Sequence, residues 1–229
     1  EIDAKGRVFS GHNGGDTRGF HYVQGGFLQK GFGKHGELSN PYAFGYFLPM
    51  KHGPVKRFTH NFIVYEGGSL PERFHGKLIG LDPINRYLPL ANLTPRGATF
   101  ATRDVDAVLR SDDPLFRPVD LKHGPAGAIY VADWHDPVIN HFLNREGETA
   151  RDDGRIYRIR GVGTKPGVAV GDLTQKTSPA LVELTDESNL GLQHHPGRRG
   201  HAAAHLAHEV VYVLGTGIGI GFEEVGVTW

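Results

Sequence analysis

The sequence predicts an all-β protein of the β-propeller type. Its composition is rich in glycine (33 residues) and proline (14 residues), and 10% of the residues are aromatic. This mixture favours short strands joined by tight turns over helices. A second observation is a repeated pattern, in which a glycine precedes an alternating apolar strand that ends at a small or polar residue. The pattern begins at Gly6, Gly76 and Gly127.

The spacing of these three stretches predicts the radial repeat of a propeller. Their leading glycines are about 70 and about 50 residues apart, and four-stranded propeller blades repeat every roughly 40 to 50 residues. We expect the longer interval to carry an insertion, residues 25–51, which has too many glycines and prolines for a regular element. Three blades are too few to close a ring. The sequence therefore predicts about three blades in this chain and further blades upstream.

The strands are predicted one after another in the first 160 residues. Each is a short run of β-branched, aromatic or alternating residues next to a turn signal. The first predicted strand follows Gly6. The others are predicted at residues 57–66, 76–82, 86–93, 98–103, 119–121, 128–132 and 155–160. The last three form one antiparallel meander.

The chain divides into three segments. Residues 1–161 are predicted to be a partial propeller, and residues 162–184 a linker with a short helix, because Thr177-Ser178-Pro179 is a helix start signal. Residues 185–229 are a glycine- and histidine-rich tail. We expect this tail to be irregular, disordered or translated from a shifted reading frame. Since Glu1 is neither an initiator methionine nor part of a signal segment, we expect the chain to be a fragment.

Charge and cysteine content exclude several classes of protein. The 25 basic residues equal the 25 acidic residues, so no overall field points to nucleic acid or to an acidic membrane surface. The absence of cysteine excludes disulfides and thiolate metal sites. No apolar run approaches the roughly 20 residues of a membrane span.

The glycine-rich loop at residues 11–19 is a candidate calcium site. Calcium prefers several hard oxygen ligands in a flexible loop. Asn13, Asp16 and the carbonyl groups next to the glycines would provide them directly after a strand. The alternative is a turn in which Asp16 binds backbone amides.

A second candidate site lies in the meander. Arg117 precedes Pro118, which holds it extended at the start of a strand, where its guanidinium group would bind a planar anion at the propeller mouth. The alternative is a structural ion pair with Asp120 or Asp133. Asp133 and Trp134 follow the next strand at its end, the position from which sheet proteins often present functional groups.

Five stretches of the sequence together resemble a known family. They are RVFSGHNGGDTRGFHYVQGGF, NPYAFG, YEGGSLPERFHGKLIG, DPLFRPVDLKHGPAGAIYVADWHDP and DGRIYRIR. They look like the C-terminal half of the propeller of the pyrroloquinoline quinone (PQQ) dependent glucose/sorbosone dehydrogenases, in the branch labelled membrane-bound dehydrogenase. The resemblance extends from Glu1 to about residue 184.

This resemblance implies a six-bladed propeller in the periplasm that holds PQQ and Ca²⁺ and oxidises a sugar-like alcohol or aldose. It implies electron transfer to a quinone or to a c-type cytochrome carried elsewhere. By position, Asn13, Gly14 and Asp16 would contact calcium, and Arg117, Asp133 and Trp134 would contact the quinone. The histidine base of the family lies in an earlier blade. No catalytic residue is therefore assigned here, and the chain alone is predicted to be inactive.

Two other functions stay open at the level of the sequence. A metal-dependent lactonase or hydrolase on a propeller would need Asp133, Asn13 and a further carboxylate to converge on one ion. A non-catalytic scaffold would present aromatic side chains at the channel mouth and no convergent charges. The directions of Arg117, Asp133 and Asp16 distinguish these possibilities.

Overall fold

The computed structural model describes residues 1–13, 15–27, 42, 44–55, 59–124, 127–137, 139, 154–163, 173–183, 209–212 and 220–225. Strands dominate these ranges, and helix is confined to short segments, so the all-β prediction is confirmed. The described strands form separate sheets and do not close into a barrel or ring. No helix within the described part of the chain is long and apolar enough to cross a membrane.

The strands follow the order of the chain. They are β1 (Val8–Ser10), β2 (Phe20–Tyr22), β3 (Gly26–Phe27), β4 (Gly45–Tyr46), β5 (Phe62–Tyr65), β6 (Lys77–Gly80), β7 (Tyr87–Arg96), β8 (Thr99–Arg110), β9 (Pro118–His123), β10 (Ile129–Asp133), β11 (Arg155–Gly161), β12 (Glu209–Tyr212) and β13 (Ile220–Val225). The short helix predicted by the sequence is α1 (Ser178–Glu183), and two 3-10 turns cover Glu72–Phe74 and Leu173–Gln175.

Two of the sheets are antiparallel meanders. Strands β5, β6, β7 and β8 pair in sequence order, with Ile63 opposite Ile79. Strands β9, β10 and β11 do the same, with Val131 between Leu121 and Tyr157. Strands β1 and β2 form a third, smaller antiparallel sheet. The first strands of the two meanders, β5 and β9, lie next to each other.

The repeated sequence pattern has a shared backbone conformation. Gly6, Gly76 and Gly127 have φ angles of 74°, 70° and 71°, and they precede β1, β6 and β10 by one or two residues. Residues with side chains rarely adopt this left-handed conformation, whereas glycine does so at little cost. The sequence repeat therefore marks a left-handed glycine before a strand, which is the second strand of its meander at Gly76 and Gly127 and the first strand of its sheet at Gly6.

Strand β5 is buried on both faces. Side chains alternate along a strand, so Phe62 and Val64 join a cluster with Phe9, while Ile63 and Tyr65 join a larger cluster that includes Leu121. Each fully buried side chain of this size contributes about 1.5–3 kcal/mol. Packing on β5 therefore ties the small sheet to one face of the β5–β8 meander and the β9–β11 meander to the other.

The structure of the C-terminal tail agrees only in part with the prediction from the sequence. The sequence predicts an irregular segment after residue 185, whereas β12 and β13 form a pair there, and β13 continues the meander by pairing with β11. The β-branched residues Val210 and Val211 favour a strand at β12. The histidine-rich part of this tail, residues 194–208, lies outside the described residues.

The β7–β8 hairpin covers His21 on the small sheet. The rings of Phe9 and Phe100 lie 5.0 Å and 5.1 Å from the His21 ring. Burial, together with the nearby positive charge of Arg7, lowers the pKa of His21, although Asp3 and a backbone hydrogen bond at Ala98 partly oppose this. The folded protein therefore favours the neutral imidazole at this position.

We predict that the protein becomes less stable as the pH falls below 6.5. Burial also lowers the pKa of His52, so the unfolded chain, in which both histidines titrate near their ordinary value of 6.5, binds more protons than the folded chain in this range. Stability conferred by the neutral histidines is complete above pH 6.5 and is lost as the pH falls from that value through the lower pKa values of the folded state. Melting temperatures between pH 7.5 and 5 measure this loss.

A double variant provides the control for this pH dependence. In His21→Phe combined with His52→Gln, neither position titrates, and the decline in melting temperature below pH 6.5 should become smaller. An unchanged decline in the double variant would show that other groups cause it.

Candidate functional site

An open pocket lies where the loop after β1 meets the residues before β5. Its volume is about 90 Å³, and it is lined by Gly11, His12, Asn13, Thr59 and His60. These residues lie next to the ends of strands in two sheets, the small sheet and the β5–β8 meander. Such positions at strand ends are where sheet proteins commonly bind ligands.

The two walls of this pocket are joined by backbone hydrogen bonds. The amide of His12 donates to the carbonyl of Thr59 over 2.9 Å, and the amide of Thr59 donates to the carbonyl of His12 over 3.0 Å. A Cβ atom on Gly11 would lie 2.2 Å from the Thr59 carbonyl oxygen. Glycine is therefore required at position 11 for the walls to approach this closely.

The residues predicted to bind calcium are partly assembled at the pocket. Asn13 lines it and is exposed, and Asp16 is exposed on the same loop. Gly14 lies outside the described residues. Calcium takes six to eight oxygen ligands, so the two side chains fit such an ion only if carbonyl groups and water supply the rest. No group of three or more His, Asp or Glu side chains in the described ranges forms a metal site.

Arg117 is engaged by backbone carbonyl groups. It is 7% exposed, and its guanidinium group donates to the carbonyls of Phe116, over 2.8 Å, and of Pro137, over 2.5 Å. Burial and the positive charge of Arg86 lower the pKa of Arg117, and three nearby aspartates oppose this. These bonds use two of the five N–H donors of the guanidinium group, and the burial of the side chain leaves little of the group accessible to PQQ. Its predicted role in binding the quinone stays a prediction.

Asp133 caps a turn. It is 3% exposed, and its Oδ1 atom accepts hydrogen bonds from the amides of Arg117, over 2.6 Å, and His135, over 2.9 Å. Its contact with Arg117 is thus to the backbone amide, unlike the ion pair considered from the sequence. Trp134, in contrast, is 44% exposed and offers a ring surface to a flat ligand.

The equivalent position in the preceding meander supports this structural role. Asp82 stands as far after Gly76 as Asp133 stands after Gly127, and its Oδ1 atom accepts hydrogen bonds from the amides of Ile84 and Asn85. Burial raises the pKa of Asp82, although the hydrogen bonds from Asn85 and Ile84 oppose the rise. Both meanders therefore use a buried aspartate to hold the turn after their second strand.

Two residues without an assigned role in the sequence analysis are prominent in the structure. His135 is buried with φ of 53°, with its Nδ1 atom 3.3 Å from Oδ2 of Asp133, and it contacts the guanidinium group of Arg155. Arg18 is fully buried beside the pocket. The left-handed backbone at His135 has no clear signal in the sequence. Arg18 pairs with Asp104, which is 86 residues away, so no local pattern predicts the contact.

Comparison with known proteins identifies a family. Residues 34–163 match the family model described as "Domain of unknown function (DUF7133)". These residues include both meanders as far as β11 and the Arg117–Asp133 region, and they begin after the loop that carries Asn13. No curated protein and no solved structure matches the chain.

Proposed function

The chain belongs to the DUF7133 family of domains of unknown function, and we propose that it forms part of a β-propeller in a quinoprotein-type dehydrogenase. The complete protein would oxidise a sugar-like alcohol or an aldose and pass the electrons to a c-type cytochrome or a quinone. The activity, the periplasmic location and the electron acceptor in this proposal come from the sequence resemblance described above.

The arrangement of the meanders supports the propeller part of the proposal. In a propeller, each blade is an antiparallel meander, and the blades repeat around a central channel. Here β5 and β9 are the first strands of consecutive meanders and lie side by side. A glycine with φ near 70° precedes the second strand in both, at Gly76 and Gly127. We assign β5–β8 and β9–β11 to successive blades, and β1–β2 to part of the blade before them.

The pocket at Asn13 is the observation that carries the functional part of the proposal. It lies between the small sheet and the β5–β8 meander at the ends of their strands, and the loop that forms one wall carries Asn13 and Asp16. These oxygen ligands suit Ca²⁺ better than a soft metal. We propose that this loop contributes to a calcium site of the complete propeller, with the remaining ligands supplied by carbonyl groups and water.

The quinone enters the proposal only through the resemblance. PQQ, when bound, would accept a hydride from the alcohol carbon of the substrate. Among the three residues predicted to contact it, the exposed ring of Trp134 suits a flat ligand as it stands, while Arg117 and Asp133 hold the turn beside it. We therefore assign Arg117 and Asp133 to supporting Trp134 and the loop around it, and we derive no chemical step through the quinone.

The hydrolase alternative lacks its main requirement. It needs Asp133 to share a metal ion with Asn13 and a further carboxylate, whereas Asp133 is buried and bound to two amides. Its carboxylate is thus already used within its own meander. The scaffold alternative remains as an outcome of the experiments below.

Calcium binding tests the assignment of the pocket. We expect calorimetric titration of Ca²⁺ to detect binding to the full-length protein, and Asn13→Ala or Asp16→Asn to weaken it at least about tenfold, since each removes an oxygen ligand or a charge. Asp112→Asn is the matched control for Asp16→Asn, because Asp112 is also an exposed aspartate but lies outside the loop at residues 11–19. Equal calcium affinity in the wild type and both loop variants would refute the assignment.

A further inference from the structure

Arg18 carries a buried charge between the pocket loop and the β5–β8 meander. It is 0% exposed and lies at the end of the loop that begins with Gly11. A buried guanidinium group is costly unless it is paired and hydrogen-bonded. The partners of this one therefore show what the residue holds in place.

The guanidinium group has partners on three sides. Its Nε atom donates to Oδ1 of Asp104 over 3.0 Å, and its Nη2 atom forms a second bond to the same carboxylate. Nη2 also donates to the hydroxyl of Tyr87 over 3.2 Å, and Nη1 donates to the hydroxyl of Thr59 over 3.1 Å. Asp104 and Tyr87 belong to strands β8 and β7. Arg18 thus fixes the loop to the outer strands of the meander and to Thr59.

The contact with Thr59 connects Arg18 to the pocket. Thr59 lines the pocket and is 1% exposed. Its backbone amide and carbonyl both form hydrogen bonds with the backbone of His12. The side chain of Thr59 is held by Arg18, and its backbone sets the position of His12. A displacement of the Thr59 hydroxyl would therefore change the positions of both pocket walls.

The charge on Arg18 is paired with the carboxylate of Asp104. Burial lowers the pKa of Arg18, but hydrogen bonds with Asp104 and Tyr87 and the charge of Asp104 raise it more, and the net direction is upward. Asp104 also lies 3.7 Å from Nε2 of His52. The Asp104 side chain remains 39% exposed, which leaves the compensating negative charge partly in contact with solvent.

We propose that Arg18 is a positioning residue for the pocket, which acts through the Thr59 hydroxyl to set the geometry of His12, Asn13 and His60. This inference rests on the proposed function of the pocket as a cation site. It adds that the affinity of the pocket for Ca²⁺ depends on Arg18, a residue that does not line the pocket.

The test compares two arginines that each pair with an aspartate. Arg18→Lys keeps the charge but loses the forked geometry that reaches Asp104 and Thr59 together. Arg7→Lys is the matched control, because Arg7 pairs with Asp3 ahead of β1, and its described hydrogen bonds do not include Thr59. Since residues that orient metal ligands commonly change affinity 10- to 100-fold, we expect Arg18→Lys to weaken Ca²⁺ binding about tenfold and Arg7→Lys to leave it unchanged.

Variants of Thr59 separate positioning from stability. Thr59→Val removes the hydroxyl at similar volume and should weaken Ca²⁺ binding to the same extent, while Thr59→Ser should restore it. In the double variant Arg18→Lys/Thr59→Val, the two losses should not add, because both break the same contact. If Arg18→Lys does not fold, the Thr59 pair of variants still decides the question. Additive losses, or full affinity in folded Thr59→Val, would overturn the proposal.

A measurement without calcium distinguishes failure of this inference from failure of the proposed function. The ring signals of His12 and His60 can be followed by NMR at one fixed pH in the absence of Ca²⁺. We expect Thr59→Val and Arg18→Lys to change the chemical shifts of both rings, because both variants break the contact that positions the pocket walls, and Arg7→Lys to leave them unchanged. Changed shifts in a protein that binds no Ca²⁺ would refute the cation site and retain Arg18 as the positioning residue of the pocket. Unchanged shifts would refute the role of Arg18 even if Ca²⁺ binds.

Discussion

Gly127→Ala is expected to lower the free energy of unfolding by at least about 3 kcal/mol, because it combines a strained backbone with a steric clash. Gly127 has φ of 71°, and a Cβ atom there would lie 2.4 Å from Cα of Gly68. The clash is between two backbones, so no side chain can move to relieve it. Denaturation by urea, followed by circular dichroism, measures the loss.

Gly76→Ala is the matched control for this prediction. Gly76 has nearly the same φ angle, 70°, but a Cβ atom on it meets nothing within 4 Å. It should cost only about 1–2 kcal/mol, the cost of the left-handed conformation alone. Equal losses in the two variants would show that the turns of successive meanders do not pack against each other at Gly68 and Gly127.

This contact is important because it joins the two meanders that we assign to neighbouring blades. The hydroxyl of Tyr65 donates to the carbonyl of Gly127 over 2.9 Å and accepts from the amide of Leu70 over 2.8 Å. Burial raises the pKa of Tyr65, although hydrogen bonds at Leu70 and Ser69 oppose the rise. The phenol therefore stays protonated and holds the turn after β5 against the turn before β10.

Asp133→Ala is expected to cost about 3–5 kcal/mol, since it leaves two buried amides without their acceptor and removes a negative charge close to Arg117. Asp133→Asn should cost less, about 1 kcal/mol, because an amide oxygen can still accept from Arg117 and His135. Asp82→Ala is the parallel variant in the preceding meander, and we expect a loss of similar size. Urea denaturation of the three variants measures these differences.

The Asp133 variants also separate a structural role from a cofactor role. If Asp133 caps a turn, Asp133→Asn should remain folded and retain ligand binding. If Asp133→Ala were as stable as the wild type and yet lost PQQ binding, the structural role would be wrong and the contact with the quinone would be favoured.

The sequence was most informative where the determinant is local. The repeated glycines at Gly6, Gly76 and Gly127 predict a turn into a strand, and the structure places a strand after each and gives the three glycines one backbone conformation. The loop that carries Asn13 was identified because glycines and oxygen side chains follow a strand directly. In both cases the relevant residues lie within a few positions of each other.

The parts that the sequence did not predict depend on long-range contacts. The hydrogen bonds of the Arg117 guanidinium group depend on Pro137, which follows the β10 strand, and the buried pair of Arg18 depends on Asp104 in β8. The pairing of β13 with β11 likewise joins segments separated by many residues. Alternating patterns show which faces are buried, but they do not show which distant side chain compensates a given charge.

The measurement that tests the central proposal most directly is a titration of PQQ into the full-length protein with and without Ca²⁺, followed by aldose-dependent reduction of an artificial dye. The proposal predicts that PQQ binds only when Ca²⁺ is present, that dye reduction requires both, and that Asn13→Ala weakens both effects while Asp112→Asn does not. Absence of PQQ binding well above micromolar concentration, with or without Ca²⁺, would contradict the dehydrogenase function. Calcium binding to the pocket without any PQQ binding would instead favour a non-catalytic scaffold.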